Sequence, residues 1–198
     1  MKVLALFDFD GTLTKRDSLL DFIHFVIKTP KKIFGAMILS PIIIGYLFKI
    51  VENDYAKERV LHYFFANMKA NELYFLGQNY ALNRLPSILR SSGIKQLKWH
   101  IEQGHDVTIV SASPVIWLKA WTDSLGVKLI ATILEEKKGR FTGRYQGLNC
   151  YGEEKVRRIK EQFDLNKYDK IYAYGDTPGD KAMLKLADKA FYKPFEKL

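Results

Sequence analysis

The first apolar run of the chain ends in two acidic side chains, and it constrains the fold more than any other feature. Residues 3–7 are all apolar, and Asp8 and Asp10 follow them. Such a run predicts a strand, here over residues 3–9, that is buried on both faces of a parallel sheet. Ligands of these sheets bind beyond the carboxyl ends of the strands. We therefore expect Asp8 and Asp10 at the ligand-binding edge.

The two carboxylates are two positions apart, so their side chains point the same way in an extended chain. Close carboxylates repel one another unless a divalent cation or a shared proton compensates their charge. The pair therefore predicts a site with such compensation. For this motif alone, the alternative is an ordinary loop start in which Gly11 and Thr12 form a turn.

Further apolar runs alternate with helical segments along the chain. Strands are predicted over residues 106–111, 128–133, 170–175 and 190–192. This alternation predicts an α/β fold with a mainly parallel sheet and helices on both faces. Residues 134–148 contain short extended pieces around glycines and predict a β-hairpin.

Four segments resemble the four motifs of phosphatases of the haloacid dehalogenase (HAD) superfamily. Asp8–Leu13 is similar to the first motif, and Val107–Ser113, an apolar run that ends in a hydroxyl, is similar to the second. Lys155, at the start of a helix-like segment, resembles the third motif. Ile171–Asp180, a strand that runs into two acids four residues apart, resembles the fourth.

The resemblance is to the phosphoserine-phosphatase-like branch, subfamily IB, whose members carry a similar hairpin. It implies a Rossmann-like three-layer HAD core with a parallel sheet, formed by residues 1–14 and 87–198. It also implies an all-helical C1-type cap at residues 15–86, which show helical character and no convincing strand. Caps of this kind close over the site, exclude water and contact the leaving group.

The same resemblance implies hydrolysis of a phosphate monoester through an aspartyl-phosphate intermediate. Asp8 would be the nucleophile, and Asp10 would be the general acid and base. Ser111, Ala112 and Lys155 would bind the phosphate. Lys155 would also offset part of the negative charge of the site.

The implied cofactor is Mg²⁺, with Asp8, Asp176 and the backbone carbonyl of Asp10 as ligands. Thr177 and Asp180 would support the site. For Asp180 several roles stay open: contact with the metal, a bond to the motif lysine or to a metal-bound water, or a favourable charge at the N-terminus of the following helix.

Other residues of the motifs and the cap have alternatives of their own. Ser111 is also a candidate N-cap for a helix starting at Pro114. Lys155, taken alone, would be a surface lysine. Asp17 resembles a cap carboxylate that contacts substrate, and Arg59 resembles a cap arginine that binds a substrate carboxylate. Both are equally compatible with solvated positions on a helix.

Residues 33–48 form an uncharged apolar segment that follows three lysines between residues 28 and 32. We expect Ser40-Pro41 to interrupt it. A transmembrane helix is one interpretation, although the segment is short for a span. Two short helices packed in the cap or at a dimer contact are a second. An interfacial hairpin, with the basic residues at lipid head groups, is a third and predicts peripheral membrane contact.

The substrate is less constrained than the reaction. Bacterial phosphatidylglycerophosphatase C proteins resemble this arrangement, with the same core motifs, an aspartate at the place of Asp17 and an apolar cap segment. The resemblance implies a Mg²⁺-dependent phosphatase acting on a lipid or amphiphilic phosphate such as phosphatidylglycerophosphate. The alternatives are a phosphoserine-like small-metabolite phosphatase, a phosphomutase, and a membrane-associated scaffold that has kept the fold.

The composition limits which binding partners and which cellular compartment we expect for this protein. The formal net charge is +9, which suits phosphorylated small molecules, lipid head groups and anionic membranes. We find no motif for nucleic-acid recognition and therefore predict no nucleic-acid partner. The single cysteine, Cys150, excludes an internal disulfide, and the first apolar run is too short for an export signal. The expected location is the cytoplasm, including the inner face of the membrane.

Overall fold

Five strands form one parallel sheet in the computed structural model, which describes residues 1–195. They are β1 (Val3–Phe7), β2 (Asp106–Pro114), β3 (Lys128–Thr132), β6 (Lys170–Gly175) and β7 (Lys189–Tyr192). The spatial order is β3, β2, β1, β6, β7. A separate antiparallel pair consists of β4 (Leu134–Lys137) and β5 (Arg140–Tyr145), at the position of the predicted hairpin.

The helices fall into an inserted group and a group that flanks the sheet. The inserted helices are α1 (Ser18–Val26), α2 (Thr29–Leu47), α3 (Asn53–Phe65) and α4 (Ala70–Asn79). The others are α5 (Ser91–Glu102), α6 (Lys119–Ser124), α7 (Glu153–Gln162) and α8 (Lys181–Leu184). The predicted α/β class with a mainly parallel sheet is therefore confirmed.

Alternate side chains of β1 enter two different cores, one on each face of the sheet. Ala5 and Phe7 belong to the larger core, which continues into the inserted helices. Leu4 and Leu6 belong to a smaller core built with α7 and α8. This alternation follows from the period of two of a β-strand. It explains why the whole of β1 is apolar and buried.

The inserted helices leave and rejoin the core at one point. Thr14 and Leu89 form an isolated antiparallel bridge, and the backbone N–H of Lys15 donates to the Ile88 carbonyl at 2.8 Å. The backbone N–H of Arg90 donates to the Leu13 carbonyl at 2.7 Å. The two connections are thus fixed to each other directly beside the first motif.

Two predicted strands end at least two residues away from the expected position. The strand predicted over residues 3–9 ends at Phe7, because the chain turns at the first motif. The strand predicted over residues 106–111 continues to Pro114, which pairs with Thr132 of β3 after a shift in register. Ser111 consequently lies inside β2, and its role as the N-cap of a helix starting at Pro114 is excluded.

The expected interruption at Ser40-Pro41 is wrong, because α2 continues through both residues. Proline lacks the N–H group that would bond to the carbonyl four residues earlier, which here belongs to Met37. The Ser40 hydroxyl donates to that carbonyl at 2.8 Å. The Met37 carbonyl, which lacks a backbone donor, therefore has a local partner. Because α2 is one continuous helix, the two-helix and hairpin interpretations of this segment are wrong.

Helix α2 makes little contact with the rest of the chain. Its buried residues are Gly35 and Leu39, and Gly35 lies against the rings of Tyr63 and Phe64 in α3. By length and composition α2 is apolar enough to cross a membrane, yet only 11% of its most apolar window is buried in the protein. Ile42 packs against the larger core, and most of the other apolar side chains of α2 lie on the surface of the molecule.

Candidate active site

Three strand ends meet at one edge of the sheet. Asp8 follows β1, Ser111 lies in the last part of β2, and Asp176 follows β6, and these three strands are neighbours. The backbone N–H of Asp8 donates to the Tyr174 carbonyl at 2.9 Å, which ties the first motif to β6. The carboxyl ends of parallel strands share an edge, so the motifs converge as the α/β fold requires.

Lys155, in the first turn of α7, links these strand ends. Its ammonium group donates to Asp8 Oδ1 and Asp180 Oδ1, each at 2.6 Å, and to the Val110 carbonyl at 2.9 Å. All three ammonium donors are therefore used. The residue is 1% exposed, so it is not a surface lysine. It carries a buried positive charge between two carboxylates.

Thr12 joins the carboxylates of two motifs. Its hydroxyl lies 3.0 Å from Asp8 Oδ2 and 2.9 Å from Asp176 Oδ1. A hydroxyl has one proton, so it can donate to only one of them at a time. Gly11 makes this approach possible: its φ is +83°, and a Cβ there would lie 2.2 Å from Asp176 Oδ2. A side chain at residue 11 would therefore displace the second carboxylate.

Asp10 points away from these carboxylates toward the inserted helices. Its Oδ1 accepts from the backbone N–H of Ser18, at the start of α1, at 2.6 Å. Its Oδ2 accepts from the Ser113 hydroxyl, also at 2.6 Å. The two hydroxyls of Ser18 and Ser113 are themselves 3.0 Å apart. Asp8 and Asp10 therefore have different partners, which suits two different chemical roles.

The structure supports two of the roles left open for Asp180, and its contact with a metal stays a prediction. One oxygen pairs with Lys155, as described above. The other accepts from the backbone N–H groups of Asp176 and Thr177, at 3.1 and 2.9 Å, and from the Thr177 hydroxyl at 2.8 Å. Asp180 thus orients the lysine and caps the turn that carries Asp176. Thr177 holds Asp180 in place.

Burial dominates the ionisation of this cluster. It raises the pKa of Asp8 to about 8 against the opposing effect of Lys155, and the pKa of Asp10 to about 6. Burial also raises the pKa of Asp176. Burial would raise the pKa of Asp180 as well, but the adjacent ammonium group holds it below its ordinary value. Burial therefore disfavours the charged forms of Asp8, Asp10 and Asp176.

The donor set fits a divalent cation. Oxygens of Asp8, Asp176 and Asp180 lie within 4.8 Å of one another. Asp8 and Asp176 share the single hydroxyl donor of Thr12. One of the two carboxylates therefore has no hydrogen bond from Thr12 at any one time. Hard carboxylate oxygens at this spacing are the ligands that Mg²⁺ prefers. We expect Asp8 and Asp176 to hold this cation, with Asp180 beside them, where it also bonds to Lys155 and to its own turn.

The site opens into a cavity of about 360 Å³. The polar wall contains catalytic-motif residues, and the opposite wall contains apolar side chains from the inserted helices. Its lining residues include Asp8, Asp10, Ser111, Ala112, Lys155, Thr177 and Asp180 on the core side, and Asp17, Leu19, Leu20, Ile43, Tyr46, Ala56, Lys57 and Val60 on the other. The cavity therefore has acidic side chains on its core wall and mainly apolar side chains on the wall formed by the inserted helices.

The two predicted cap residues have different positions. Asp17 lines the cavity, and it is also the N-cap of α1, where its side chain accepts from the backbone N–H of Leu20 at 3.0 Å. Arg59 is exposed on α3 and does not line the cavity. The expectation that Arg59 faces the substrate is therefore wrong, because the helix turns that position toward solvent. Lys57, two residues earlier, faces the cavity instead.

Sequence reasoning missed three residues of this site: Thr12, Ser113 and Lys57. A signal existed for the first two, because each lies within one of the first two motif segments, close to a predicted site residue. For Lys57 no signal existed, since the sequence of α3 does not say which side of the helix docks on the core.

The comparison with known proteins agrees with this geometry. The model of the haloacid dehalogenase-like hydrolase family matches residues 5–185. The chain belongs to this family. The HAD match contains all four motif segments, and the predicted family and Rossmann-like HAD core are confirmed.

Individual relatives of this HAD hydrolase cover nearly all of it. Protein CicA of Caulobacter vibrioides is 33% identical over 195 residues, which is 98% of this chain and 86% of CicA. A crystal structure of a Bordetella pertussis protein of unknown function has a TM-score of 0.82 at 22% identity, covering 94% of this chain and 87% of that one. A phospho-aspartyl intermediate analogue of phosphoserine phosphatase has a TM-score of 0.60 at 20% identity, covering 94% and 83%.

Proposed function

We propose that this HAD hydrolase is a phosphomonoesterase that works through an aspartyl-phosphate on Asp8. The supporting observation is the different surroundings of the two motif carboxylates. Asp8 is buried against Lys155 and Thr12, whereas Asp10 is held by Ser113 and by the first turn of α1. A nucleophile and a proton carrier need such separate environments.

In the first half-reaction an Asp8 oxygen forms a bond to phosphorus, and the ester bond to the leaving oxygen breaks. The leaving oxygen takes the proton of Asp10. In the second half-reaction water attacks phosphorus, Asp10 accepts the proton of that water, and the bond from phosphorus to Asp8 breaks. Ser111 and the backbone of Ala112 hold the phosphoryl oxygens, and Lys155 binds one of them with the donor that it gives to Asp8 in the free site. The products are inorganic phosphate and the free alcohol.

A Mg²⁺ ion held by Asp8, Asp176 and the carbonyl of Asp10 would supply charge neutralisation for the phosphoryl oxygens. The shared hydroxyl of Thr12 and the close carboxylates described above support this assignment.

Hydrolysis of an aryl phosphate, with and without Mg²⁺, tests the reaction. Asp8→Asn keeps the shape of the side chain and removes its nucleophilic charge, so we expect loss of at least about 1,000-fold in kcat. Asp123→Asn, at an exposed position on α6, is the matched control and should retain activity. Equal inactivity of the wild type and Asp8→Asn in Mg²⁺ would favour the scaffold alternative.

For the substrate we propose a lipid or amphiphilic phosphate, such as phosphatidylglycerophosphate. The apolar wall of the cavity, formed by residues such as Leu20, Ile43 and Val60, supports this. The cavity lies at the small end of the range for ligand sites and admits a head group. Acyl chains would have to remain outside, beside α2, whose Ile43 and Tyr46 also line the cavity.

We also propose that α2 contacts an anionic membrane surface, which would put the protein at the inner face of the membrane in the cytoplasm. The exposed apolar side chains of α2 and the following turn include Phe34, Met37, Ile38, Leu47, Phe48 and Ile50. Exposed Lys28 and Lys49 flank this surface. Such a combination suits apolar insertion at the interface together with attraction to anionic head groups.

Co-sedimentation with vesicles containing phosphatidylglycerol tests this contact. The double variant Ile38→Glu and Phe48→Glu should lose most binding, because each change puts a charge among acyl chains. Phe75→Glu, at a 67% exposed position on α4, is the control and should bind like the wild type. Unchanged binding of the double variant would remove the argument for a lipid surface.

A phosphoserine-like small-metabolite phosphatase is the second candidate. The fold shared with phosphoserine phosphatase favours it, and the apolar cavity wall does not. A comparison of kcat/KM on phosphoserine and on phosphatidylglycerophosphate in mixed micelles separates the two. A preference for phosphoserine would overturn the lipid proposal and leave the reaction intact. Transfer of the phosphoryl group to a second hydroxyl of the substrate, without release of phosphate, would indicate a phosphomutase.

A further inference from the structure

Lys57 is a cation in the cavity to which the reaction gives no role. It lies on α3, in the inserted helices, and its side chain crosses to the core, where the ammonium group donates to the Ala112 carbonyl at 2.7 Å. It lines the cavity together with Asp10, Asp17 and Ser111. The phosphoryl site already contains its own cation, Lys155.

The two lysines of the cavity differ in their partners. Lys155 has a carboxylate oxygen at 2.6 Å on each of two sides. Within residues 1–195, no carboxylate oxygen lies within 4 Å of the Lys57 ammonium group. Its hydrogen bond to Ala112 uses one of three donors. Two donors therefore remain for a group in the cavity.

The surroundings of Lys57 locate it on the leaving-group side. The carboxylates with the largest electrostatic effect on it are Asp10, Asp17 and Asp54, and Asp10 is the group that we propose protonates the leaving oxygen. Burial disfavours the charged form and lowers the pKa of Lys57. An anion bound beside it would offset that cost, as for other buried charges.

We propose that Lys57 binds a second anionic group of the substrate, carried by the leaving group a few bonds from the ester oxygen. The inference rests on the proposed phosphomonoesterase function and narrows its substrate class. A phosphodiester or a carboxylate supplies the required charge, and the substrate is then a phosphomonoester with a second anion next to an apolar portion.

Three soluble probes test this without a membrane. Glycerol phosphate has no second anion. Phosphoglycerate has the same carbon skeleton with a carboxylate, and glycerophosphoglycerol phosphate has a phosphodiester. For the wild type we expect kcat/KM at least tenfold higher on one of the two doubly anionic probes than on glycerol phosphate. The probe that is preferred identifies the anion.

Variants then assign the preference to the side chain. Lys57→Met should reduce the ratio of kcat/KM between the preferred probe and glycerol phosphate at least tenfold, mainly through KM. Lys57→Arg should restore most of the ratio. Arg59→Met, which removes an exposed charge from the same helix, should leave the ratio unchanged.

Two results would overturn the proposal. One is an equal kcat/KM of the wild type on all three probes. This result contradicts the proposal even if Lys57→Met does not fold. The other is an equal loss on all three probes in Lys57→Met, which would assign the lysine to the reacting phosphoryl group or to cap closure. Failure of the wild type to hydrolyse any phosphomonoester would instead contradict the proposed function itself.

Discussion

Hydrogen bonds around Asp10 show how single residues prepare the site. Its two oxygens accept from groups on different parts of the chain, Ser113 at the end of the second motif and Ser18 in the inserted helices. Ser18 also accepts from the indole N–H of Trp117 at 3.1 Å. A half-buried carboxylate held from two sides has one orientation, which proton transfer requires. Ser113 is therefore a positioning residue for Asp10.

Ser113→Ala tests this role. It removes a 2.6 Å hydrogen bond to Asp10, and such a bond to a charged group contributes about 1.5–3 kcal/mol. We expect kcat on an aryl phosphate to fall roughly 10- to 100-fold. Loss of this donor also raises the pKa of Asp10 further, so the corresponding limb of the pH–kcat profile should move to higher pH.

Ser87→Ala is the control for that measurement, because its exposed hydroxyl donates only to the nearby Arg84 carbonyl. Its kinetics should match the wild type. A Ser113→Ala enzyme with an unchanged profile would show that Asp10 keeps its orientation without the serine.

At the level of elements, the contact between α2 and α3 decides where the apolar surface lies. Gly35 is the point of closest approach, since a Cβ there would be 2.6 Å from the Phe64 ring and 2.7 Å from the Tyr63 ring. The hydrogen bond from the Lys31 ammonium group to the Phe64 carbonyl, at 3.0 Å, adds to this contact. The opposite side of α2 packs on nothing in the described chain and is free to contact lipid.

Gly35→Leu should therefore destabilise the protein, because the two rings leave no space for a side chain. We expect a decrease of about 1–3 kcal/mol in the free energy of unfolding, measured by urea denaturation. Ala36→Leu, at the neighbouring exposed position, should change it by less than about 0.5 kcal/mol. Equal effects of the two variants would contradict the packing of α2 on α3.

The strands and helices differ in how well the sequence predicts them. The apolar run specifies β1, because a strand buried on both faces has no polar positions. The motifs then fall at one sheet edge by topology. The continuity of α2 was not predictable from the rule that proline interrupts helices, since the Ser40 hydroxyl compensates locally. Arg59 and Lys57 lie on one helix, and only its docking on the core decides which of them faces the cavity.

At the level of the whole molecule, a buried histidine couples stability to pH. His100 is fully buried, with its ring nitrogens 2.9 Å from the Tyr174 hydroxyl and 2.7 Å from His105 Nδ1. Burial, and then the neighbouring His105, lower the pKa of His100 to about 4. Between this value and the ordinary value near 6.5, the unfolded chain binds a proton that the folded chain does not bind.

Stability should therefore be complete above pH of about 6.5 and decrease as the pH falls toward about 4, by about 3 kcal/mol from this residue. Urea denaturation of the wild type and of His100→Gln at several pH values measures the difference. The variant has no titrating group there, so its stability should depend less on pH across this window. Parallel curves for the two proteins would assign the acid sensitivity to other groups.

The central claim is that the four motif segments form one site in which Asp8 carries the phosphoryl group. The most direct measurement is a rapid acid quench of the working enzyme with phosphate-labelled aryl phosphate, followed by borohydride reduction and peptide mass spectrometry. We expect label on the protein during turnover and conversion of residue 8 to homoserine, with neither in Asp8→Asn. Turnover with no modification at Asp8, or with modification at another residue, would contradict it.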